Sequence, residues 1–270
     1  MRRVGQLLSD LRLHTVCEGA HCPNIGQCFS AGTATFMILG DICTRNCTFC
    51  AVNKGVPLAL ETDEPQRIAE AVRQLGLNYV VITCVTRDDL PDGGAEHFAE
   101  TVRQLHAMLP GIRVEVLVSD FKGSAESIGI VAEANPEVFA HNLETVPQLY
   151  PSVRPMANYQ RSLDVLRIAK EIDPTTVTKS GLMLGLGEEQ DEVIGVMRDL
   201  RQVGCELLSL GQYLAPSQAH HPIESFITPE EFAEYEKIGM HEGFKGIASA
   251  PLVRSSFRAA ELFDRAAANI

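Results

Sequence analysis

The chain has 270 residues, of which 45% are hydrophobic and 21% charged, a composition typical of a globular protein with a sizeable core. Its 23 basic and 35 acidic residues leave a formal net charge of −12, so we expect no nucleic-acid partner. No apolar run approaches the roughly 20 residues that cross a bilayer, and the N-terminus lacks a secretory signal pattern. We therefore expect no membrane partner and a cytoplasmic location.

Apolar segments alternate with helical patterns after residue 35. The predicted strands are 35–40, 79–84, 113–118, 138–141, 180–183 and 207–210. The predicted helices are 64–75, 96–108, 161–172 and 189–203. This α/β repetition predicts a parallel sheet covered by helices, with ligands at the carboxyl ends of the strands. Six such units suit either an open partial barrel or a doubly wound sheet, and periodicity does not separate the two.

Six of the eight cysteines lie within the first 50 residues. In a chain without an export signal, clustered cysteines indicate a metal site rather than disulfides. Cys84 and Cys205 each stand alone, and we predict that they are buried structural residues rather than ligands.

The second cysteine triplet directly follows the first predicted strand. Cys43, Cys47 and Cys50 have the spacing C-x3-C-x2-C on the loop at that strand's carboxyl end. Three thiolates can hold three irons of a cubane cluster and leave the fourth iron open to another ligand. A structural zinc site, which remains an alternative here, would need a fourth protein ligand.

The first triplet precedes the predicted strands. Cys17, Cys22 and Cys28 have the spacing C-x4-C-x5-C, and these three soft ligands suit an iron–sulfur cluster or zinc. His21 lies between them as a possible fourth ligand, but we favour a surface position for it.

The second triplet, with the aromatic residue Phe49 before its last cysteine, resembles the signature of radical S-adenosylmethionine enzymes. The resemblance implies a partial (β/α)6 TIM-like barrel and a [4Fe–4S] cluster on Cys43, Cys47 and Cys50. It also implies that S-adenosylmethionine binds the open iron through its amino and carboxylate groups. Its reductive cleavage would give a 5′-deoxyadenosyl radical that abstracts a hydrogen atom.

Further motifs resemble the lipoyl synthase family over almost the whole chain. They are HTVC at 14–17, CPNIG at 22–26, GTATFMILG at 32–40, RDDL at 87–90, DGGA at 92–95, HNLETV at 141–146, TKSGLM at 178–183, GLGE at 185–188, GQYL at 211–214 and RSSF at 254–257. The chain departs from the family pattern at Phe257, where tyrosine is usual, at Ala250 for glycine and at Cys84 for serine.

The resemblance also implies a second, auxiliary [4Fe–4S] cluster. Its ligands would be Cys17, Cys22 and Cys28, with Ser256 as the fourth, in a C-terminal segment that folds back over the barrel mouth. The implied reaction inserts two sulfur atoms, taken from the auxiliary cluster, at C6 and C8 of a protein-bound octanoyl chain.

Contacts to S-adenosylmethionine are expected after the predicted strands. Carboxylate, amide and cationic side chains suit its amino acid and ribose groups, and glycines permit close backbone approach. The predicted contact residues are Asn142, Glu144, Arg154, Lys179, Asp88, Gly93 and Gly94.

Three segments are predicted: an extension at 1–35 with the auxiliary motif, a barrel at 36–245 and a C-terminal segment at 246–270. The expected partners are an octanoylated lipoyl domain or carrier protein, an electron donor such as ferredoxin or flavodoxin, and an iron–sulfur carrier protein. The alternatives are another radical enzyme with an auxiliary cluster, similar to a methylthiotransferase, and a non-catalytic metal-binding protein.

Overall fold

The computed structural model describes residues 2–267. Its strands are β1 His14–Thr15, β2 Thr35–Ile38, β3 Ile42–Cys43, β4 Asn53–Lys54, β5 Tyr79–Cys84, β6 Arg113–Leu117, β7 Val138–Ala140, β8 Val177–Leu184, β9 Leu207–Gln212 and β10 Gly246–Ser249. Its α-helices are α1 Arg2–Asp10, α2 Val16–Gly19, α3 Ile25–Ser30, α4 Glu64–Leu75, α5 Ala95–Met108, α6 Ala125–Ala132, α7 Tyr150–Val153, α8 Tyr159–Ile172, α9 Gln190–Gln202, α10 Pro229–His241 and α11 Ala259–Ala267. Short 3-10 turns occupy Phe121–Gly123 and Pro147–Leu149.

The main sheet has eight strands in the order β1-β2-β5-β6-β7-β8-β9-β10, and β3 pairs separately with β4. The pairs β2–β5, β5–β6, β8–β9 and β9–β10 are parallel, whereas β1 is antiparallel to β2. All six predicted strands are present, which confirms the predicted α/β sheet. The sequence patterns missed β1, β3, β4 and β10, because two-residue strands and the segment Gly-Ile-Ala-Ser show no periodicity of their own.

The chain divides into two compact units. The first holds the chain up to Arg45 together with Ala51–Phe139, and the second holds Asn46–Cys50 and the chain from Ala140 onward. The three predicted segments stay a prediction, and their outer ends, Met1 and residues 268–270, lie outside the described residues. Across residues 2–267 there is no helix long and apolar enough to span a membrane.

In the first unit, the sequence of α4 explains where this helix begins, where it ends and which face it buries. It has Pro65 in its first turn and ends at Gly76, whose left-handed φ of 69° suits glycine. Its apolar face buries Ile68, Ala71 and Val72 completely or almost completely. The helix therefore has a fixed position, and its first residue can reach a strand end.

In the second unit, β8 and β9 have two different faces. Leu182, Leu184, Leu208 and Leu210 belong to one buried apolar cluster with residues of α9 and α10. Because side chains alternate along a strand, the odd-numbered residues of β8, including Gly181, face the other side. That second face is the one next to the functional residues described below.

Candidate active site

The N-terminal cysteines lie on a short helical loop of the first unit. Cys17 is buried in α2, Cys22 and Cys28 are half-buried, and the Cys22 N–H donates to the Cys17 carbonyl at 3.0 Å. Burial raises the pKa of Cys17 and of Cys28, and the neighbouring thiols raise both further. The three thiols thus lie near one another, and a metal cluster would favour their ionised forms. The donor set suits an iron–sulfur cluster.

Thr15 fixes the start of this loop. Its hydroxyl accepts from the Glu18 N–H and donates to Glu18 Oε2 at 2.8 Å, which caps the N-terminus of α2. His21 is exposed with a φ of 52°, in agreement with its predicted surface position. The loop is therefore ordered by its own capping bonds, while the cysteines supply the thiols.

A buried clamp holds the turn that follows β2 and leads to the second triplet. Leu39 has a φ of 70°, and its N–H donates to the Glu64 carboxylate at 3.0 Å. Arg87 donates through Nη1 to the Leu39 carbonyl at 3.1 Å, and His97 Nε2 lies 2.7 Å from Glu64 Oε2. An uncommon backbone conformation is thus held from both sides at the strand's carboxyl end.

Cys43 is the first cysteine of the second triplet and lies in β3. The Arg45 N–H donates to Cys43 Sγ at 3.4 Å, as it could to a metal-bound thiolate. The Arg45 guanidinium makes a bidentate pair with Asp88, at 2.8 and 3.0 Å, and a further bond to Asp120 at 2.6 Å. Burial alone would lower the pKa of Arg45, but the hydrogen bonds to Asp88 and Asp120 outweigh it and raise that pKa. This buried network fixes the cysteine loop.

The other two cysteines of this triplet, Cys47 and Cys50, are half-buried and belong to the second unit. Between them, Thr48 donates through its N–H to the Val153 carbonyl at 3.0 Å. The Thr48 hydroxyl donates to the Ser152 carbonyl at 2.8 Å. This stretch of the loop is therefore attached to the end of α7.

Phe49, the aromatic residue of the signature, packs against a buried apolar cluster of the second unit. The cluster is formed by Val153, Leu186 and Tyr213. The aromatic position thus serves as a packing anchor for the loop, which explains why a large apolar side chain stands next to Cys50.

The loop after β7 carries Asn142 and Glu144. Asn142 Nδ2 donates to Glu144 Oε1 at 3.1 Å, and Glu144 has a left-handed φ of 68°. Burial raises the pKa of Glu144, while Arg154 and the bond from Asn142 lower it. The predicted ligand Arg154 donates through Nη1 to the carbonyls of Asn142 and Leu143, at 3.0 and 2.9 Å. The structure thus makes Arg154 a support of this loop.

The C-terminal motif is attached to the end of β9. The Gln212 N–H donates to the Pro251 carbonyl at 3.1 Å, and a Cβ on Gly211 would lie only 2.0 Å from the Val253 carbonyl oxygen. Ser255 Oγ donates to Asn142 Oδ1 at 3.1 Å. Ser256 is half-buried next to it. Within the second unit, the motif therefore meets the loop after β7.

Three residues predicted to contact S-adenosylmethionine have other protein groups close to them. Both oxygens of Asp88 accept from Arg45, so this carboxylate holds the cysteine loop. A Cβ on Gly93 would lie 3.0 Å from the Phe121 ring, and one on Gly94 would lie 2.4 Å from Leu39. Both glycines therefore lie close to protein side chains, and the contact of all three residues with S-adenosylmethionine stays a prediction.

Lys179, the remaining predicted contact, is completely buried in β8. It precedes Gly181 by two residues on the same face of the strand, and Gly181 lies beside Asn142. Two residues of a strand span about 7 Å, so Lys179 lies one layer deeper in the sheet than the loop after β7. Direct contact between Lys179 and a ligand stays a prediction, and the depth of Lys179 in the sheet does not favour it.

The eight cysteines form no disulfides. Burial raises the pKa of Cys84 and of Cys205 to about 12. Cys205 is buried, as predicted, whereas Cys84 is only half-buried, so the predicted buried position is wrong for Cys84. Within the described part of the chain, no three His, Cys, Asp or Glu side chains are close enough to hold a single metal ion.

Sequence reasoning missed Arg45, Asp120 and Ser255 as site residues. A charged residue between two cysteines of one loop was a signal for Arg45, since its charge needs a partner when the loop is buried. No local pattern marks Asp120 or the contact made by Ser255, because their partners lie 75 and 113 residues away.

Comparison with known proteins connects these features to one family. Residues 37–200 match the radical SAM superfamily. Lipoyl synthase of Caldanaerobacter subterraneus subsp. tengcongensis is 57% identical over 259 residues, which cover 96% of this chain and 91% of that protein. Lipoyl synthase of Aquifex aeolicus is 55% identical, with 96% and 94% covered. Such a match over nearly the whole of both chains shows the family.

Solved structures agree on the fold. Methylornithine synthase aligns with a TM-score of 0.60 at 17% identity, covering 78% of this chain and 62% of the other. Coproporphyrinogen III oxidase from Escherichia coli, a radical SAM enzyme, aligns with a TM-score of 0.55 at 14% identity, covering 82% and 56%. The fold class is thus the partial α/β barrel of radical SAM enzymes, for which a [4Fe–4S] cluster and S-adenosylmethionine are the implied cofactors. This chain therefore belongs to the lipoyl synthase family of the radical SAM superfamily.

Proposed function

We propose that this protein inserts two sulfur atoms at C6 and C8 of an octanoyl chain that is amide-linked to a lysine of a carrier protein. The proposal is supported above all by the presence of both cysteine triplets in a chain that matches lipoyl synthases over nearly its whole length. Unactivated C–H bonds are beyond the reach of acid–base side chains, so the chemistry requires a cofactor-derived radical.

The second triplet is the proposed holder of the radical-generating cluster. Cys43, Cys47 and Cys50 would supply three thiolates, and the Arg45 N–H would donate to the first of them. When bound, the two clusters supply the electron that cleaves S-adenosylmethionine and the sulfur atoms that are inserted. Hydrogen bonds to a cluster sulfur favour its charged form, so Arg45 is expected to tune this site as well as to hold its loop.

Asn142 and Glu144 are the proposed contacts for S-adenosylmethionine. They are hydrogen-bonded to each other, and Arg154 holds their loop by donating to the Asn142 carbonyl. A carboxylate suits an ammonium group or ribose hydroxyls, and the amide suits either partner. Arg154 and Asn142 offset only part of the rise that burial causes in the pKa of Glu144. A cationic ligand group would therefore stabilise the ionised carboxylate further.

The first triplet and Ser256 are the proposed holders of the auxiliary cluster. An alkoxide is a hard oxygen ligand and matches iron in a sulfide cluster less well than a thiolate does. Ser256 would therefore form the labile corner of a cluster that must give up sulfur, whereas Cys17, Cys22 and Cys28 would hold the other three.

The proposed macromolecular partners follow from the reaction. The substrate is an octanoylated lipoyl domain or carrier protein, because the chain to be modified is covalently attached to it. A one-electron donor such as ferredoxin or flavodoxin would reduce the first cluster. An iron–sulfur carrier protein would rebuild the second cluster after each reaction.

Anaerobic turnover with an octanoyl-lysine peptide tests this function. The reconstituted and reduced protein with S-adenosylmethionine should yield a peptide that has gained two sulfur atoms, measured by mass spectrometry. Formation of 5′-deoxyadenosine without sulfur gain would support a different radical enzyme. Zinc without sulfide in the isolated protein would indicate the non-catalytic alternative.

The two-cluster assignment has its own test in metal analysis. The wild-type protein should bind eight irons per chain, and a variant with Cys17, Cys22 and Cys28 all changed to Ala should bind four. That variant should still cleave S-adenosylmethionine but insert no sulfur. Loss of all iron from it would contradict two independent clusters.

A further inference from the structure

Three side chains of the second unit form a continuous hydrogen-bonded chain. Ser255 Oγ donates to Asn142 Oδ1 at 3.1 Å, and Asn142 Nδ2 donates to Glu144 Oε1 at 3.1 Å. In this arrangement the serine hydroxyl and the amide nitrogen donate, and the amide oxygen and the carboxylate accept. The C-terminal motif is thereby linked to the loop after β7 through one amide group.

The amide of Asn142 has little room to move. A Cβ on Gly181 would lie 2.9 Å from Asn142 Oδ1, so the amide lies directly against the Gly181 backbone. The loop itself is held by the Glu144 N–H, which donates to the Gly181 carbonyl at 2.9 Å, and by the bond from Arg154 to the Asn142 carbonyl. A displacement of Glu144 would therefore be transmitted to Asn142 Oδ1 and on to Ser255.

The other end of the chain is also held. The Val253 N–H donates to the Ala250 carbonyl at 3.0 Å, and the Phe257 N–H donates to the Arg254 carbonyl at 2.9 Å. The first of these turns precedes Ser255 and lies directly against Gly211, and the second contains Ser255. Because the backbone on both sides of the motif is held by these bonds, we expect a displacement of Ser255 to move its covalent neighbour Ser256 as well.

We propose that Ser255 is a positioning residue that couples occupancy of the S-adenosylmethionine site to the placement of the C-terminal motif. A ligand group bound at Glu144 would fix the amide of Asn142, and the amide would fix Ser255 and with it the neighbouring Ser256. This inference rests on the proposed assignment of Asn142 and Glu144 to S-adenosylmethionine. Coupling between sites is reciprocal, so the motif must strengthen ligand binding by the factor by which the ligand stabilises the motif.

Binding without turnover gives the first measurement. The dissociation constant of S-adenosylmethionine is measured by calorimetry on anaerobically reconstituted, unreduced protein. Ser255→Ala should weaken binding about fivefold, the effect of one neutral hydrogen bond. Ser255→Thr keeps a hydroxyl and should bind like the wild type. Thr175→Ala, which removes an exposed hydroxyl in the turn before β8 of the same unit, is the matched control and should change nothing.

Hydrogen exchange gives a second measurement that does not depend on activity. S-adenosylmethionine should slow exchange in the peptide 251–258 of the wild type and of Ser255→Thr, and it should fail to do so in Ser255→Ala. If Ser255→Ala does not fold, Asn142→Asp replaces it, because this variant keeps an acceptor for Ser255 but loses the donor toward Glu144. At S-adenosylmethionine concentrations that saturate Asn142→Asp, this variant should likewise show no ligand-dependent protection of 251–258.

The outcomes distinguish a failure of the coupling from a failure of the assignment of Asn142 and Glu144 to S-adenosylmethionine. Wild-type affinity and protection in Ser255→Ala, with weakened binding in Asn142→Ala, would overturn the coupling and leave the S-adenosylmethionine site in place. Wild-type affinity in Asn142→Ala would overturn the site assignment and the coupling together. Sulfur insertion by the wild-type protein is measured separately, so a failure of the proposed function would be visible on its own.

Discussion

Arg45 donates through Nη2 to Oδ1 of Asp120 at 2.6 Å, and both side chains are almost completely buried. The pair joins the loop between Cys43 and Cys47 to the segment after β6. Because a buried charge is costly without its partner, we expect the cysteine loop to be sensitive to mutation of this pair.

The first prediction is that Asp120→Asn destabilises the metal-free protein. The variant keeps the shape of the side chain but removes one of the two charges that balance Arg45, while Asp88 remains. We expect the free energy of unfolding to fall by about 3 kcal/mol, measured by urea denaturation. Iron bound after reconstitution should fall as well, since the loop is less ordered.

A matched control for this prediction is Arg103→Ala. Arg103 pairs with Glu96 and Glu100 on the exposed face of α5, where solvent weakens the interaction. Its loss should lower the free energy of unfolding by less than about 1 kcal/mol. Equal effects of the two variants would show that the buried network contributes no more than a surface pair.

The second prediction concerns Gly211→Ala. The added Cβ would lie 2.0 Å from the Val253 carbonyl oxygen, which belongs to the backbone, so the C-terminal motif must move. We expect formation of the lipoyl product to fall about a hundredfold, because a shift of roughly 1 Å at a reacting group has such an effect. Production of 5′-deoxyadenosine should persist, and both are measured in the same anaerobic reaction.

Gly195→Ala is the control for this substitution. Gly195 lies inside α9, and a Cβ there would have no neighbour within 4 Å. Alanine has the higher helix propensity, so the variant should gain about 0.5–1 kcal/mol in free energy of unfolding and keep full activity. A normal lipoyl yield from Gly211→Ala would show that the motif tolerates displacement.

The third prediction is a pH dependence of stability that arises from Cys205. Burial raises the pKa of this thiol from 9.0 to about 12 in the folded protein, so folding favours the protonated form. The corresponding stability is complete below pH 9 and is lost as the pH rises toward 12. Between pH 8 and pH 10.5 the wild type should lose about 2 kcal/mol more than Cys205→Ala does.

This comparison uses urea denaturation of metal-free protein under reducing conditions, at both pH values. Cys205→Ala lowers stability at each pH through lost packing, and only the difference between the two pH values reports the thiol. The same variant should bind as much iron as the wild type, because Cys205 is not an assigned ligand. Parallel pH profiles for the two proteins would contradict the shifted pKa.

The fourth prediction concerns Ser256, the proposed oxygen ligand of the auxiliary cluster. Ser256→Ala should still form the first cluster and cleave S-adenosylmethionine but give little lipoyl product. Ser256→Cys should hold the auxiliary cluster with a softer ligand and release sulfur more slowly. The measurements are iron content, 5′-deoxyadenosine and the mass of the octanoyl-lysine peptide. Wild-type product yield and lag from Ser256→Ala would remove this serine from the mechanism.

The sequence by itself determined the two cysteine motifs, six of the ten strands and four of the eleven α-helices of the described residues. The spacing of Cys43, Cys47 and Cys50 is a local property, so it is readable without the fold. The same holds for the six strands, whose apolar runs are long enough to show a period. The triplet at 17–28 and the motif at 254–257 likewise carry their information within a few residues.

Only the tertiary structure decided which partners the site residues have. Asp88, Gly93 and Gly94 were predicted from the sequence as ligand contacts, and the fold adds that Arg45, Phe121 and Leu39, respectively, lie beside them. The partners of Asp120 and Ser255 likewise lie far away in sequence. Hydrogen-bond partners across such separations depend on where the strand ends meet, and that is a consequence of packing the whole sheet, which no local pattern records.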